Sequence, residues 1–295
     1  MAKTFPETVS FRSGVVHSAK KSYVLAEDSE VMDEGAPHTA LLTWDKGKWL
    51  HHLLDWVANS ACVRRDPVQQ VVITGEDGEY LVGGGGGDLI EGKIPVHAGP
   101  RKKRGPLRSV RAIGGVPYVV GMGGVVFRQE QPDQWVRVDS GIPPSQNLES
   151  IAGISDKDMY AVGRKGAIWR CQDGVWQKID SPTKVILTSV CCGHDKQAYA
   201  CGQDGTLLRG KKGKWKAINQ KETDADLWDV EWFKDKLYVS TMTAVYRLEG
   251  NKLQYVFGKE QPETAYHLSS SGSVLWSIGG KDIMAFNGKT WKRIE

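Results

Sequence analysis

Short apolar runs alternate along most of the chain with brief spacers of Gly, Asp, Ser and Lys. The clearest stretch is 148–180, LESIAGISDKDMYAVGRKGAIWRCQDGVWQKID. Apolar runs at 148–154, 159–162, 167–171 and 175–179 are divided by 155–158, 163–166 and 172–174. Each spacer is built from residues that make tight turns. No run is long enough for a helix, and several alternate apolar with polar, the period of a strand. The stretch therefore predicts a four-stranded antiparallel meander. Its strands are lettered A to D, from inner to outer.

One meander has two faces and buries neither alone, so it needs neighbours. The sequence supplies them. Aromatic residues assigned to strand B (Tyr80, Tyr118, Tyr160, Tyr199, Tyr238 and Trp276) recur at intervals of about 40 residues. Those assigned to strand D (Trp135, Trp176, Trp215, Tyr255 and Trp291) keep the same period. The text around the first set repeats as YLVGGGGG, YVVGMGG, YAVGRKG and YACGQDG. One glycine follows strand B and another opens strand C, as a tight hairpin with positive φ requires. This period with four strands per copy predicts an all-β, seven-bladed β-propeller. The expected blades are 9–55, 68–98, 107–139, 148–180, 186–219, 227–258 and 266–295 in a single domain. Blade 1 carries Tyr23 and Trp49 at the strand-B and strand-D places, with strand A at 10–16. Because 292–294 takes the strand-D place of blade 7, the ring should close by packing of whole blades, with no blade shared between the termini. Residues 55–62 are the one stretch where a helix could fit.

The pattern Y-x-V-G-x-x-G-x-[IL]-x-R…G-x-W resembles seven-bladed propellers of the WD-repeat-like and sialidase-repeat-like superfamily. It is similar to bacterial propellers of the photosystem II assembly-factor type. The resemblance implies a fold. WD-repeats carry Gly-His before strand A and Trp-Asp at the end of strand C, a set this chain lacks. QDGVW (172–176) and DKGKW (45–49) keep only the Asp, Gly and Trp of a sialidase Asp box. The resemblance brings over no catalytic set.

Composition narrows the class. The 295 residues carry a formal net charge of +4, too small to imply nucleic acid as a partner. The five cysteines (Cys62, Cys171, Cys191, Cys192 and Cys201) form no recurring pair, which suits reduced thiols in a cytoplasmic protein; a bacterial source is what the resemblance implies. The first residues, MAKTFPETVSF, lack the apolar core of a signal peptide. No apolar stretch is long enough for a membrane span. Oligomeric state is left open.

In a propeller of this order, B–C hairpins and D-to-A crossings share one face, here the top. The expected long top loops are 27–38, 55–67, 97–106, 140–147 and 219–226. Function concentrates on loops held by a rigid scaffold. Glu27, Asp28, Glu30, Asp33 and Glu34 form an acidic run without EF-hand spacing. Arg101, Lys102, Lys103 and Arg104 form a basic run between Gly-Pro pairs, with Arg64 and Arg65 on the preceding crossing. The acidic run reads equally well as a solvated loop, and the basic run reads better as one. The five glycines of 83–87 are read as a flexible B–C hairpin, since the Lys-Ser/Thr of a phosphate loop is missing. His51 and His52 are adjacent on a strand and point to opposite faces. No CxxC pair supports zinc. No metal or cofactor is expected.

No catalytic signature appears in the chain. The reading is a binding propeller whose top face docks another protein. It could be an inhibitor or immunity protein that neutralises a toxin, or an assembly factor. The expected contact residues are the two charge runs with Arg64 and Arg65. A propeller-type carbohydrate-active enzyme, hydrolase or lyase, is the alternative from another class, and enzymatic activity stays open. Convergent carboxylates, Arg or Tyr at the central mouth would mark an enzyme. Exposed aromatics and Arg on the rim would mark a docking face.

Overall fold

The structure, a computed structural model, describes residues 9–28, 37–96 and 105–294. These form seven four-stranded sheets, each made of consecutive antiparallel strands. Strand A of each blade lines a central channel. In order these are Val9–Ser18, Ala58–Arg64, Leu107–Ile113, Leu148–Ser155, Leu187–Cys192, Asp229–Phe233 and His267–Ser271. Among the described residues the one helical element is a 3-10 turn at Arg164–Gly166. Among them, too, no blade mixes strands from both ends of the chain. Closure rests on packing of blade 1 against blade 7, pinned where the Phe11 amide donates to the Gly280 carbonyl at 2.9 Å.

The two aromatic series are the two sides of one repeated contact. Tyr160 of blade 4 meets Trp215 of blade 5 edge to face, with ring centroids 5.5 Å apart. Trp276 of blade 7 meets Trp49 of blade 1 at 6.5 Å across the closure. Tyr118 and Trp176 share one buried cluster, and the indole N–H of Trp176 donates to the Val138 carbonyl at 2.9 Å. A strand-D ring of one blade thus covers a strand-B ring of the blade before it. That buries the faces a lone meander would leave in water.

The two repeated glycines differ in backbone conformation. Gly166, opening strand C of blade 4, has φ +66, a conformation that L side chains avoid. Gly163, ending strand B, is not at positive φ. A Cβ there would collide with the Asn147 carbonyl, where the crossing chain enters strand A. A Cβ on Gly166 would likewise meet the Thr183 carbonyl, so both glycines admit a close approach of the crossing chain and Gly166 serves the turn as well.

Blade 2 departs from the sequence reading. Its strand A is Ala58–Arg64, so the sheet starts at Ala58 and not near Val68. Strand B is Gln70–Gly75, and Tyr80 lies on strand C, Glu79–Gly83. VVITGEDG carries the strand-B signature with no tyrosine in it, and Tyr80 on the next strand displaced the register. Tyr80 still packs on Trp135 of blade 3, at 6.0 Å. The glycine run therefore falls on the C–D hairpin at the bottom, not on a top hairpin. Residues 55–62 hold a crossing and a strand, not a helix. ANSACVR escaped notice because small residues fill the places that aromatic and branched residues mark elsewhere.

Candidate functional site

One level of the channel shows where the repeat breaks. The equivalent strand-A position is Ser13, Ser60, Ser109, Ser150 and Ser189 in blades 1 to 5, then Asp229 and His267 in blades 6 and 7. The shared geometry is a hydroxyl accepting an amide from the next blade. Ser60 Oγ takes the Val110 N–H at 3.0 Å, and Ser150 Oγ takes the Val190 N–H at 3.3 Å. Asp229 does the same for the Leu268 N–H at 3.0 Å. Its carboxylate also accepts from the Ser189 hydroxyl at 2.6 Å and from the Val230 N–H at 2.9 Å. His267 Nδ1 lies 3.1 Å from Oδ2, while its Nε2 faces the Gly14 carbonyl at 2.8 Å. Arg111 of blade 3 completes the cluster, 3.4 Å from Oδ1. The group joins strands A of blades 1, 3, 5, 6 and 7.

Burial works against charge on Asp229, yet His267, Arg111 and Ser189 outweigh it and hold the carboxyl at about 2. Arg111 is opposed by the same burial and carried upward by Asp229 and Glu231. Glu231, one level deeper, moves the other way: burial raises it, against the pull of Arg111 and the Ser270 hydrogen bonds. Asp229 is 3% exposed and already ringed by donors. A general base needs an accessible lone pair near the substrate. The cluster is built as a brace across the channel. Among the described residues no group of three or more His, Cys, Asp or Glu could hold a metal ion.

Above the brace opens a top basin of about 810 Å³. Its charged rim is largely paired. Arg12 binds Glu27. Arg108 bridges Glu76 at 3.2 Å and Glu149 at 2.9 Å, and Arg164 joins Glu149 at 3.1 Å. The apolar part is uncovered: Val57, Trp228 and Met242 line the basin, each 44% exposed. Trp228 and Met242 come from blade 6 and Val57 from the first crossing, so they stand on separate sectors of the rim.

The expected contact residues are divided by the fold. Glu27 sits on the basin wall and Asp28 ends the same strand, its amide donating to His38 Nε2 at 3.0 Å. Arg64 and Arg65 are not on the top face. Strand A of blade 2 runs downward and ends at Arg64, which is 2% exposed and donates to the Asp66 carbonyl at 3.0 Å and Gln129 Oε1 at 3.3 Å. Arg65 lines the bottom mouth. Glu30, Asp33, Glu34, Arg101, Lys102, Lys103 and Arg104 lie outside the described residues. Sequence reasoning passed over Trp228, Asp229, Arg111 and His267. The available signal was the series Leu107-x-Ser109, Leu148-x-Ser150, Leu187-x-Ser189, broken at Leu227-x-Asp229.

No protein-family model matches the chain. It is 39% identical to the immune protein Tsi7 of Pseudomonas aeruginosa, over 100% of this chain and 100% of the relative. The chain belongs to the Tsi7 family. Among solved structures the fold matches virginiamycin B lyase of Staphylococcus aureus, with TM-score 0.76 and 13% identity over 97% of this chain and 96% of that one. YCF48 bound to D1 peptide matches with TM-score 0.69 and 15% identity, over 97% and 93%. The WD40 propeller domain of Doa1 matches with TM-score 0.65 and 12% identity, over 96% and 92%. These likenesses confirm the seven-bladed propeller expected from the repeat and carry no activity. Among the described residues no helix is long and apolar enough to cross a membrane, and all five cysteines are free thiols.

Proposed function

We propose that this protein is an immunity protein that binds a toxin protein and neutralises it, with the top basin as its docking face. The observation that carries the reading is the full-length relationship to an immune protein, 39% identical from end to end. The basin supports it physically. Binding energy in protein interfaces concentrates in a few buried aromatics and arginines ringed by polar groups. Trp228 is such an anchor, 44% exposed, beside a rim of arginine–carboxylate pairs. The acidic run from Glu27 to Glu34 begins at the edge of that basin, where charge steers encounter and fixes orientation. Five free thiols support a reducing, cytoplasmic site of action.

The test is to clone the genes that flank its own, screen their products for toxicity, and co-express any toxic product with this protein. Wild type should restore growth and co-purify with the toxin as a stable complex. Trp228→Glu should fold normally and fail in both. Growth arrest despite abundant wild-type protein would overturn the immunity reading. Full protection by Trp228→Glu would move the docking face away from the basin.

A further inference from the structure

Blade 5 carries a second charged surface, on its outer flank near the bottom. The C–D hairpin reads RGKKGKWK from Arg209 to Lys216. Strand C is Leu207–Lys211 and strand D is Lys214–Ala217. Their register sets Arg209 opposite Lys216 and Lys211 opposite Lys214. Leu208 and Trp215 alternate with these cations and pack toward blade 4, so all four charges share the other face. Lys212 adds a fifth at the turn. Arg209, Lys211, Lys212, Lys214 and Lys216 are exposed, and among the described residues none of them is in an ion pair. The nearby carboxylate, Asp195, accepts instead from Tyr199 Oη at 2.7 Å and Gln197 Nε2 at 2.8 Å. A shallow hollow of about 390 Å³ lies over the array.

Like charges directly opposite on neighbouring strands destabilise a sheet. Two such pairs side by side, with no counter-charge, are costly for the folded monomer alone. Lysines on an outer strand can serve merely to discourage edge-to-edge pairing. That accounts for Lys214 and Lys216 but not for Arg209 and Lys211, which lie one strand further in. The array is a grid, about 5 Å across the strands and about 7 Å along them.

We propose that this flank of blade 5 docks an acidic, extended segment of a partner protein. A strand laid along the open edge of strand D presents every second side chain to one face, so alternating carboxylates fall at the spacing of the grid. Single-stranded nucleic acid fits less well, because the indole of Trp215 is turned to the buried side and no other ring interleaves with the cations. The surface is separate from the top basin and does not depend on the immunity reading.

The experiment measures binding of a fluorescent oligoglutamate peptide and, separately, a single-stranded DNA oligonucleotide to the full chain at low and moderate salt. The variant is Lys211→Glu with Lys216→Glu, which sets each new carboxylate opposite a remaining cation, Lys214 or Arg209. Its melting temperature should equal or exceed that of wild type, because like-charge pairs become opposite pairs. Oligoglutamate should bind wild type in a salt-dependent way and bind the variant about tenfold more weakly. Lys46→Glu with Lys48→Glu, the same charge change on the blade 1 hairpin, should leave binding intact. Equal loss in that control would reduce the effect to net charge and overturn the proposal. Tighter binding of the oligonucleotide, lost in the blade 5 variant, would replace the acidic protein with nucleic acid. Aggregation of the variant with oligoglutamate binding intact would leave the lysines as an edge guard only.

Discussion

Arg111 in the third blade reaches across the channel to Asp229 in the sixth, with its guanidinium nitrogen 3.4 Å from Oδ1. This pair, with His267, ties inner strands that are distant in sequence, and it predicts a pH signature. Asp229 is held at about 2 against an ordinary value of 3.8. A depressed carboxyl stabilises the fold fully above its unfolded value and loses that contribution as pH falls through the folded one. The window runs from about pH 4 down to about pH 2 and is worth about 2 kcal/mol. Asp229→Asn should lack this acid limb. It should also be less stable at neutral pH by about 3–5 kcal/mol, because it strands Arg111. Glu231 is raised, so its contribution is complete in acid and fades as pH rises through its folded value. Glu231→Gln should remove that opposing slope. Denaturant titrations across the acid range read both.

The blade-to-blade rings are structural. Trp176, 2% exposed, and Trp215, 8% exposed, should each cost about 3–5 kcal/mol when changed to Ala. Toxin binding per folded molecule should not change. Lost binding at an unchanged melting temperature would reassign them as contact residues.

Gly163 and Gly166 both face crossing backbone, and Gly166 carries a positive φ as well, so their variants should differ in degree. Gly163→Ala forces the crossing chain at Asn147 to move, an overpacking cost of about 1–3 kcal/mol. Gly166→Ala should cost more, because its Cβ meets the Thr183 carbonyl and its φ of +66 adds strain, and Gly166→Asn should recover only the strain. Gly163→Asn should be at least as damaging as the alanine change. Thermal melts of the four variants separate the backbone clash from the strain of positive φ.

Reversal of Asp28, Glu30, Asp33 and Glu34 to Lys should slow association with the partner and weaken its salt dependence, while the fold survives. Glu27 is best left out, since its loss would also release Arg12. Arg65→Glu, at the bottom mouth, should leave rate and salt slope as they are. Stopped-flow association at two salt concentrations is the measurement. An Arg65 effect as large as the loop reversal would place the interface at the other end of the channel.

The sequence by itself determined the repeat. Turn residues and a period of about 40 were enough for seven four-stranded blades, because each blade has the same burial problem and meets it with the same residues. It also marked the strand-D tryptophans as inter-blade packing, since such contacts recur wherever the repeat does. What it could not place is whatever depends on which end of a strand a residue occupies. In blade 2, small residues hid strand A, and Tyr80 sat one strand late. Arg64 and Arg65 were thereby put on the wrong face. Only the closed ring brought Arg111, Asp229 and His267 together. Their meeting depends on seven inner strands converging on one axis, a distance no local pattern encodes. The grid on blade 5 is intermediate: RGKKGKWK is plain in the text, but the register that sets Lys211 against Lys214 exists only once the hairpin is paired.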